Sequence, residues 1–408
     1  MLHRSRLILA LIVTATACGA GGATGDPDAT DPLPSDGGGV DGATPPTGTQ
    51  VFDPDVLHTI ELTVAPGLLD QLDDNQNQAR VRATLIFDGA TVAEVGLRKK
   101  GATSLRPLAD KPGFTVKLND VVMGQQLDGL KKLTLDNAVQ DPSLLVGHVS
   151  YEVYRRAGLP APRTAHATLR FNGVDKGLYV LEESTTADYL AEHFGDGSGN
   201  LYEGPWDFPL GVARADLKDE VSENRTRDDL SALTAIVTET PDAQLAAQLA
   251  TQLDLDGFLD NFAVEMVAVL WDNYAYVAWN YYLYHVPGGR FVMLTHGVNW
   301  PYWHAEMDPF DLEADPWGGD QPPGFLCSRI LAVPALEARF RAAVTRVARD
   351  AFDVPALLAR IDRAEATMHS RALTGASATD LAAFDEQLDL ARDFVRDRKA
   401  YLTTRLGL

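Results

Sequence analysis

One stretch near the middle of the chain constrains the fold most, because a helix, an acidic turn and a hairpin follow one another there. Asp254 is the predicted N-cap of the helix, and the polar pair Asp272-Asn273 follows its end at Trp271. The apolar residues between them have the i, i+3, i+4 spacing of one buried helix face: Leu255, Phe258, Leu259, Phe262, Ala263, Met266, Val267 and Leu270.

Two strands are predicted directly after this polar pair. Residues 280–284 are rich in aromatics, residues 287–289 form a Pro-Gly-Gly turn, and residues 291–294 complete a hairpin. Kinase-like folds use a helix, an acidic loop and a hairpin with an Asn at its mouth to hold catalytic and metal-binding side chains together. We therefore expect the chemistry of this chain to lie around Asp272 and Asn280.

The amino terminus is predicted to be an export signal and a tether. A short apolar run at residues 7–13 follows two arginines, and small residues lead to Cys18, which is typical of a lipoprotein signal over residues 1–18. The alternative is an ordinary signal peptidase site. The run is much shorter than the ~20 residues that cross a bilayer. Residues 19–50 are rich in Gly, Pro and Asp and predict a disordered tether. We expect an exported protein anchored by lipid on Cys18, in the periplasm or on the cell surface.

Length and composition limit the kind of domain that the rest of the chain can form. With 408 residues, 45% of them hydrophobic, the chain can bury a large core. We predict one domain at residues 51–408, with a change of lobe near 205–255. The net charge of −22 argues against nucleic-acid binding, and a nucleotide would need a local basic pocket or metal ions.

The chain has two cysteines. If Cys18 carries lipid, Cys327 has no disulfide partner, and its apolar neighbours predict a buried thiol.

A basic segment stands out in the acidic first half. Residues 98–106 carry four basic side chains beside Gly101, and such a loop can cover phosphates, although a solvated loop is the alternative. The strand that follows carries Lys111 and Lys117. Glu183 ends an apolar strand and is either a buried partner for a lysine or a surface carboxylate.

The predicted architecture is β-rich in the first half and mainly helical in the second. Asp88-Gly89 and Asn172-Gly173 predict hairpin turns. Asp141-Pro142 predicts the start of a helix that ends at Gly158.

Several ordered motifs together resemble the spore-coat-protein-H (CotH) kinase family, from about residue 55 to the carboxyl terminus. The motifs are GLKKLTLDN at 129–137, DPSLL at 141–145, GLPAPRT at 158–164, GNLY at 199–202, Trp271-Asp272, NYYLY at 280–284 and RKAYL at 398–402. The resemblance implies an α+β, atypical protein-kinase-like fold with a β-rich amino-terminal lobe and a mainly helical carboxy-terminal lobe.

The same resemblance implies ATP-dependent phosphorylation of Ser or Thr in secreted or cell-surface proteins, with Mg²⁺ or Mn²⁺. Asp272 would be the catalytic base and Asn280 a metal ligand. The nucleotide-binding residues implied are Lys111 or Lys117, Glu183 and Gly101. A secreted or envelope protein would be the substrate or partner.

The sequence departs from the family where a metal-binding acid is expected. The family has Pro-Trp-Asp-x-Asp-Trp, but this chain reads Thr-His-Gly-Val-Asn-Trp at 295–300, so Gly297 and Asn299 replace the two acids. An amide is a poorer ligand than a carboxylate for a hard cation, and glycine is none. One hypothesis is a kinase that rebuilds its metal site; the other is an inactive, lipid-anchored scaffold. The rebuilt site would use Asn280, Asn299, Asp308 or Asp311. Metal hydrolysis by His296 and His304 is disfavoured, because no further ligand is suitably spaced.

Overall fold

The computed structural model describes residues 48–74, 79–203, 216–217, 226–298, 304–313, 322–369 and 378–408. The predicted signal with Cys18, nearly all of the predicted tether, and Asn299 lie outside these residues. Much of the first half of the predicted lobe boundary, residues 204–215 and 218–225, also lies outside them.

Seven strands of the first half form a closed barrel. Strand β1 pairs antiparallel with β2 and parallel with β6, so the sheet has no free edge, and its order is β1-β2-β3-β4-β5-β7-β6. The strands are β1 (Leu57–Val64), β2 (Val81–Phe87), β3 (Ala90–Lys100), β4 (Gly113–Lys117), β5 (Lys132–Asp136), β6 (Thr164–Phe171) and β7 (Val174–Glu182). Alternate residues such as Leu62, Leu97 and Leu135 fill the barrel interior.

A second sheet lies in the other half of the chain. Its order is β11-β10-β8-β9, from β8 (Asn200–Glu203), β9 (Asp216–Leu217), β10 (Tyr281–His285) and β11 (Phe291–Thr295). The described helices are α1 (Leu69–Asp73), α2 (Val146–Arg156), α3 (Ala187–Phe194), α4 (Asp228–Glu239), α5 (Asp242–Gln252), α6 (Leu255–Ala268), α7 (Tyr274–Val277), α8 (Phe325–Leu331), α9 (Pro334–Arg346), α10 (Val354–His369) and α11 (Ala378–Leu406).

The predicted two-lobed kinase-like fold is wrong. The β-rich part is a closed mixed barrel, and the second half carries a four-stranded sheet, so it is not a mainly helical lobe. The barrel closes because β1 pairs with β6 from Leu57–His166 to Leu62–Phe171. That contact joins strands about a hundred residues apart, and local patterns carry no information on it.

The locally encoded elements are confirmed. Asp88-Gly89 and Asn172-Gly173 make the turns of the β2–β3 and β6–β7 hairpins, and all four residues have positive φ, as a type I′ turn requires. The predicted apolar face of α6 is buried throughout, and Cys327 is buried and free as predicted. Helix α2 begins at Val146, four residues later than predicted, because the Asp141 side chain binds the Val146 N–H.

Candidate active site

Asp272 and Asn280 are in direct contact, as the predicted site requires. The Asn280 Nδ2 group donates to the Asp272 backbone oxygen at 2.8 Å and to its carboxylate Oδ2 at 3.0 Å. Ala278 and Asn280 both have positive φ, which turns the chain from α7 into β10. The nine-residue segment 272–280 therefore folds back on itself and presents a carboxylate and an amide at one place.

Asn273, the next residue, fastens this turn to the hairpin. Its side chain is 2% exposed, and Nδ2 donates to the Asn280 oxygen at 3.1 Å. The same nitrogen lies 3.4 Å from the Thr295 hydroxyl and from the His296 oxygen. One amide thus links the Asp272 turn to the start of β10 and to the end of β11. From the sequence, Asn273 was predicted only as a turn residue.

Gly297 lies against Asn280 in the place where the family has an acid. Its φ is +65°, and a Cβ added there would lie 2.9 Å from Asn280 Oδ1. Any side chain at this position meets both a strained backbone and the Asn280 amide. The backbone conformation and the position of the Asn280 amide are therefore both adapted to a glycine at position 297.

A second polar group, the rim cluster of Lys100, Lys111, Asp136 and Asp141, lies at the barrel end where β3 and β5 terminate. Lys100 Nζ binds Asp136 Oδ2 at 3.0 Å, and the Ala138 N–H donates to Asp136 Oδ1 at 2.7 Å. Burial pushes the pKa of Asp136 upward, but the Lys100 charge and these hydrogen bonds together bring that pKa below its ordinary value.

Lys111 joins the rim cluster through its charge. Burial lowers the pKa of Lys111, and the charges of Asp136 and Asp141 oppose that shift. Its Nζ lies 5.3 Å from the Tyr179 ring centroid. Asn137 binds the backbone oxygens of Ser104 at 2.9 Å and Lys111 at 2.8 Å, so the loop that begins at Gly101 is tied to the rim cluster.

The first turn of α2 contacts both the rim cluster and the segment that follows Gly297. Asp141 Oδ2 accepts the Val146 N–H at 2.8 Å. A Cβ added to Gly147 would lie 3.0 Å from the Val298 oxygen, directly after Gly297. Burial raises the pKa of Asp141 to about 6, against the effect of its hydrogen bonds from Ser143 and Val146.

Lys117 and Glu183 are not part of the rim cluster. Lys117 ends β4, opposite Lys132 in the register. The Glu183 carboxylate binds the Arg163 guanidinium and backbone N–H, so its partner is an arginine and not the lysine considered above. Glu183 and Lys132 line the same shallow cleft.

Several basic side chains lie on the outer side of strands β3, β4 and β5. Leu97, Val116 and Leu133 point into the barrel core, so the residues beside them in sequence face outward. These outward residues include Arg98, Lys117 and Lys132, all buried, with Lys100 further along β3. Arg98 belongs to the basic segment 98–106 singled out from the sequence, and Lys132 to the motif at 129–137, although neither was assigned a role of its own.

The other metal-ligand candidates have partners of their own. His296 stacks on Tyr282 at 4.1 Å, with Nε2 3.6 Å from Glu203 Oε1. Asp308 binds Arg405 at 3.0 Å, and Asp311 accepts the Glu313 N–H at 3.0 Å. Asp272 and Asn280 Oδ1 offer one carboxylate and one amide oxygen. Such a set fits Mg²⁺ or Mn²⁺ that arrives on nucleotide phosphates, because these cations prefer oxygen ligands and need few from the protein.

The buried Arg398 holds the surroundings of the Asp272 turn together. Its guanidinium donates to the oxygens of Met266 and Val267 at the end of α6, and to those of Ala305 and Met307. The segments before and after the site are therefore joined through the last helix. No helix among the described residues is both long and apolar enough to cross a membrane.

Comparison with known proteins identifies the class. The family model described as CotH kinase protein matches residues 97–402, well over half of the chain. The chain therefore belongs to the CotH kinase protein family, as the motifs predicted. It is 23% identical over 300 residues to the inner spore coat protein H of Bacillus subtilis (strain 168), a match that covers 69% of this chain and 80% of that protein.

Proposed function

We propose that this protein transfers the γ-phosphoryl group of ATP to Ser or Thr hydroxyls of secreted or cell-envelope proteins. The observation that carries the proposal is the contact of Asp272 with Asn280, in a turn that Asn273 locks to the hairpin. Family membership supports a kinase domain of the CotH type.

Asp272 is the proposed general base. Its carboxylate takes the proton of the acceptor hydroxyl as the hydroxyl oxygen bonds to the γ-phosphorus, and the bond from that phosphorus to the bridging oxygen breaks to release ADP. The Asn280 amide holds the Asp272 carboxylate in one orientation through the 3.0 Å hydrogen bond. Mg²⁺ or Mn²⁺ would be held by Asn280 Oδ1 together with the nucleotide phosphates and would neutralise phosphate charge.

The basic residues supply the proposed phosphate contacts. Lys100 and Lys111 at the rim cluster, which lie among Asp136 and Asp141, are the proposed ammonium groups, with Arg98 at the neighbouring end of β3. Transfer relies on positioning and on neutralising charge at the phosphate oxygens, so these basic groups favour nucleotide binding.

Export and lipid anchoring through Cys18 remain part of the proposal. The relative named above is a spore coat protein, which supports a place outside the cytoplasm for this chain as well. Its substrate would then be a secreted or envelope protein.

The test is phosphate incorporation from γ-³²P-labelled ATP into casein, with Mg²⁺ or Mn²⁺, by the full chain. We expect Asp272→Asn to lower kcat at least about 100-fold, because a general base contributes that much or more. The matched control is Asp175→Asn, which alters a turn carboxylate of the β6–β7 hairpin. Equal incorporation by Asp272→Asn and the wild type would reject Asp272 as the base.

Gly297 favours a second candidate, an inactive scaffold of the cell envelope. At its positive φ, a Cβ would lie 2.9 Å from Asn280 Oδ1, so an acid at this position would require the Asn280 amide to shift. Thermal unfolding with millimolar ATP and Mg²⁺ or Mn²⁺ separates the two, because a ligand of the native state raises its melting temperature. A metal-dependent rise with incorporation supports the kinase, and the absence of both supports the scaffold.

A further inference from the structure

Glu265 is a buried acid directly beneath the Asp272 turn. It lies on α6, is 1% exposed, and its Oε2 accepts the Ala275 N–H at 2.6 Å. Ala275 is in the first turn of α7, three residues after Asp272. Within the described part of the chain, the Glu265 carboxylate has no cationic partner.

The groups around Glu265 make its burial costly. Those that face it electrostatically are Tyr154 of α2, Tyr274 and Tyr276 of α7, and the Cys327 thiol of α8. Burial raises the pKa of Glu265 to about 8, and the Ala275 N–H opposes the rise. An apolar residue would avoid the desolvation of a carboxyl at this position.

The Glu265 carboxyl helps to fix the conformation of the Asp272 turn. Helix α7 has four residues, and its cap, Asn273, makes no side-chain hydrogen bond to the helix. The Asn273 amide instead holds the turn from the hairpin side, through Asn280 and Thr295. Glu265 holds it from the helix side. Loss of either anchor would remove one of the contacts that fix the backbone carrying Asp272.

We infer that Glu265 is a positioning residue, which sets the place of the Asp272 carboxylate through its hydrogen bond from the Ala275 N–H. The inference rests on the proposed kinase function. Misplacing a catalytic group by about 1 Å can cost about 100-fold in rate. The effect should therefore appear in kcat and leave the KM for ATP nearly unchanged.

Two variants separate the hydrogen bond from the bulk of the side chain. Glu265→Gln keeps an oxygen that can accept the Ala275 N–H, and we expect its kcat to stay within about threefold of wild type. Glu265→Leu keeps the volume but has no acceptor, and we expect kcat to fall about 10- to 100-fold. The control is Asn261→Leu, which removes another buried polar side chain one turn earlier on α6 and should leave kcat unchanged.

Hydrogen exchange tests the inference even if the protein shows no kinase activity. Hydrogen exchange of the peptide that spans residues 270–278 should be at least about tenfold faster in Glu265→Leu than in the wild type, and unchanged in Asn261→Leu. If Glu265→Leu does not fold, the same comparison is made with Glu265→Met, which also lacks an oxygen acceptor.

The outcomes distinguish the two claims. An inactive wild type whose 270–278 exchange still depends on residue 265 rejects the kinase function but keeps the anchoring role. An active wild type with equal kcat and equal exchange in Glu265→Leu rejects the positioning role. Loss of kcat in Glu265→Gln equal to that in Glu265→Leu also rejects it, because the hydrogen-bond acceptor would then be irrelevant.

Discussion

At the scale of single residues, the absence of a side chain at Gly297 shapes the site. Family motifs predicted an acid there, and the sequence alone indicated only a missing ligand. The structure adds a reason: φ is +65°, and the space that a Cβ would fill is taken by the Asn280 amide. Restoring the acid therefore requires a change in the Asp272–Asn280 contact as well.

Gly297→Asp should fail to restore a metal site and should destabilise the protein. A side chain in the left-handed region costs about 1–2 kcal/mol, and the contact with Asn280 adds to that cost. We expect the free energy of unfolding, measured with urea, to fall by at least about 2 kcal/mol, without a gain in the metal-dependent thermal shift.

Gly124→Ala is the control for the backbone cost alone. Gly124 also has a positive φ, +80°, but a Cβ there would meet nothing within 4 Å. A Gly297→Asp variant as stable as Gly124→Ala, with a new Mg²⁺-dependent shift, would contradict this account of the site.

At the scale of elements, helix α2 joins the rim cluster to the Asp272 turn. The sequence predicted Asp141 as its N-cap, but the N-cap is Leu145, and Asp141 accepts the N–H of the first helical residue, Val146, from five residues earlier in the chain. Residues 142–145 instead form a turn over the Asp141 carboxylate, which accepts the N–H groups of Ser143 and Val146. Capping residues are recognisable locally, whereas the length of the capping loop depends on what packs against it.

Asp141→Ala should loosen this end of α2. It removes the acceptor of the Val146 N–H, and we expect a loss of about 1–2 kcal/mol in the free energy of unfolding by urea. Thr186→Ala is the comparison, because Thr186 caps the short helix α3 through the Tyr189 N–H at 3.3 Å. A smaller loss for Asp141→Ala than for Thr186→Ala would mean that the Asp141 hydrogen bond is unimportant.

At the scale of the whole molecule, two buried histidines join the barrel to the helices. His166 of β6 binds the Leu144 oxygen at 2.9 Å, and His148 of α2 binds the Thr164 hydroxyl at 2.9 Å. Arg360 of α10 donates to the His148 oxygen at 2.7 Å. The junction therefore contains imidazoles that are neutral in the folded state.

The contribution of these histidines to stability should fall on mild acidification for this reason, whereas the raised pKa values of Asp141 and Glu265 act in the opposite direction. Burial lowers the pKa of His166 to about 4 and that of His148 well below its ordinary value. On acidification, the histidines of the unfolded chain therefore bind protons at a higher pH than those of the folded chain. The contribution of the neutral histidines to stability is complete above pH ~6.5 and declines as the pH falls toward ~4. For His166 alone, the loss is about 3 kcal/mol.

The measurement is the free energy of unfolding against pH for the wild type and for His166→Gln, whose amide can still donate to Leu144. Between pH 7 and pH 4.5, the free energy of unfolding of the wild type should decline relative to that of the variant. Parallel curves for the two proteins would show that His166 is not the group responsible.

The sequence by itself determined what depends on neighbours a few residues apart. Turn chemistry at Asn172-Gly173, the apolar face of α6 and the family motifs around Asp272 needed no knowledge of the fold, since backbone preference and periodicity act locally. These features identified the family and the candidate base, and they predicted that Asp272 and Asn280 would be close.

Only the tertiary structure decided the rest. The parallel pairing of β1 with β6 closes the barrel, and it overturned the two-lobed fold predicted from the order of elements. The Lys100–Asp136 pair, the Arg163 partner of Glu183 and the burial of Glu265 likewise depend on contacts between distant segments. Many pairings of distant segments satisfy the same local patterns, and the packing of the whole chain selects among them.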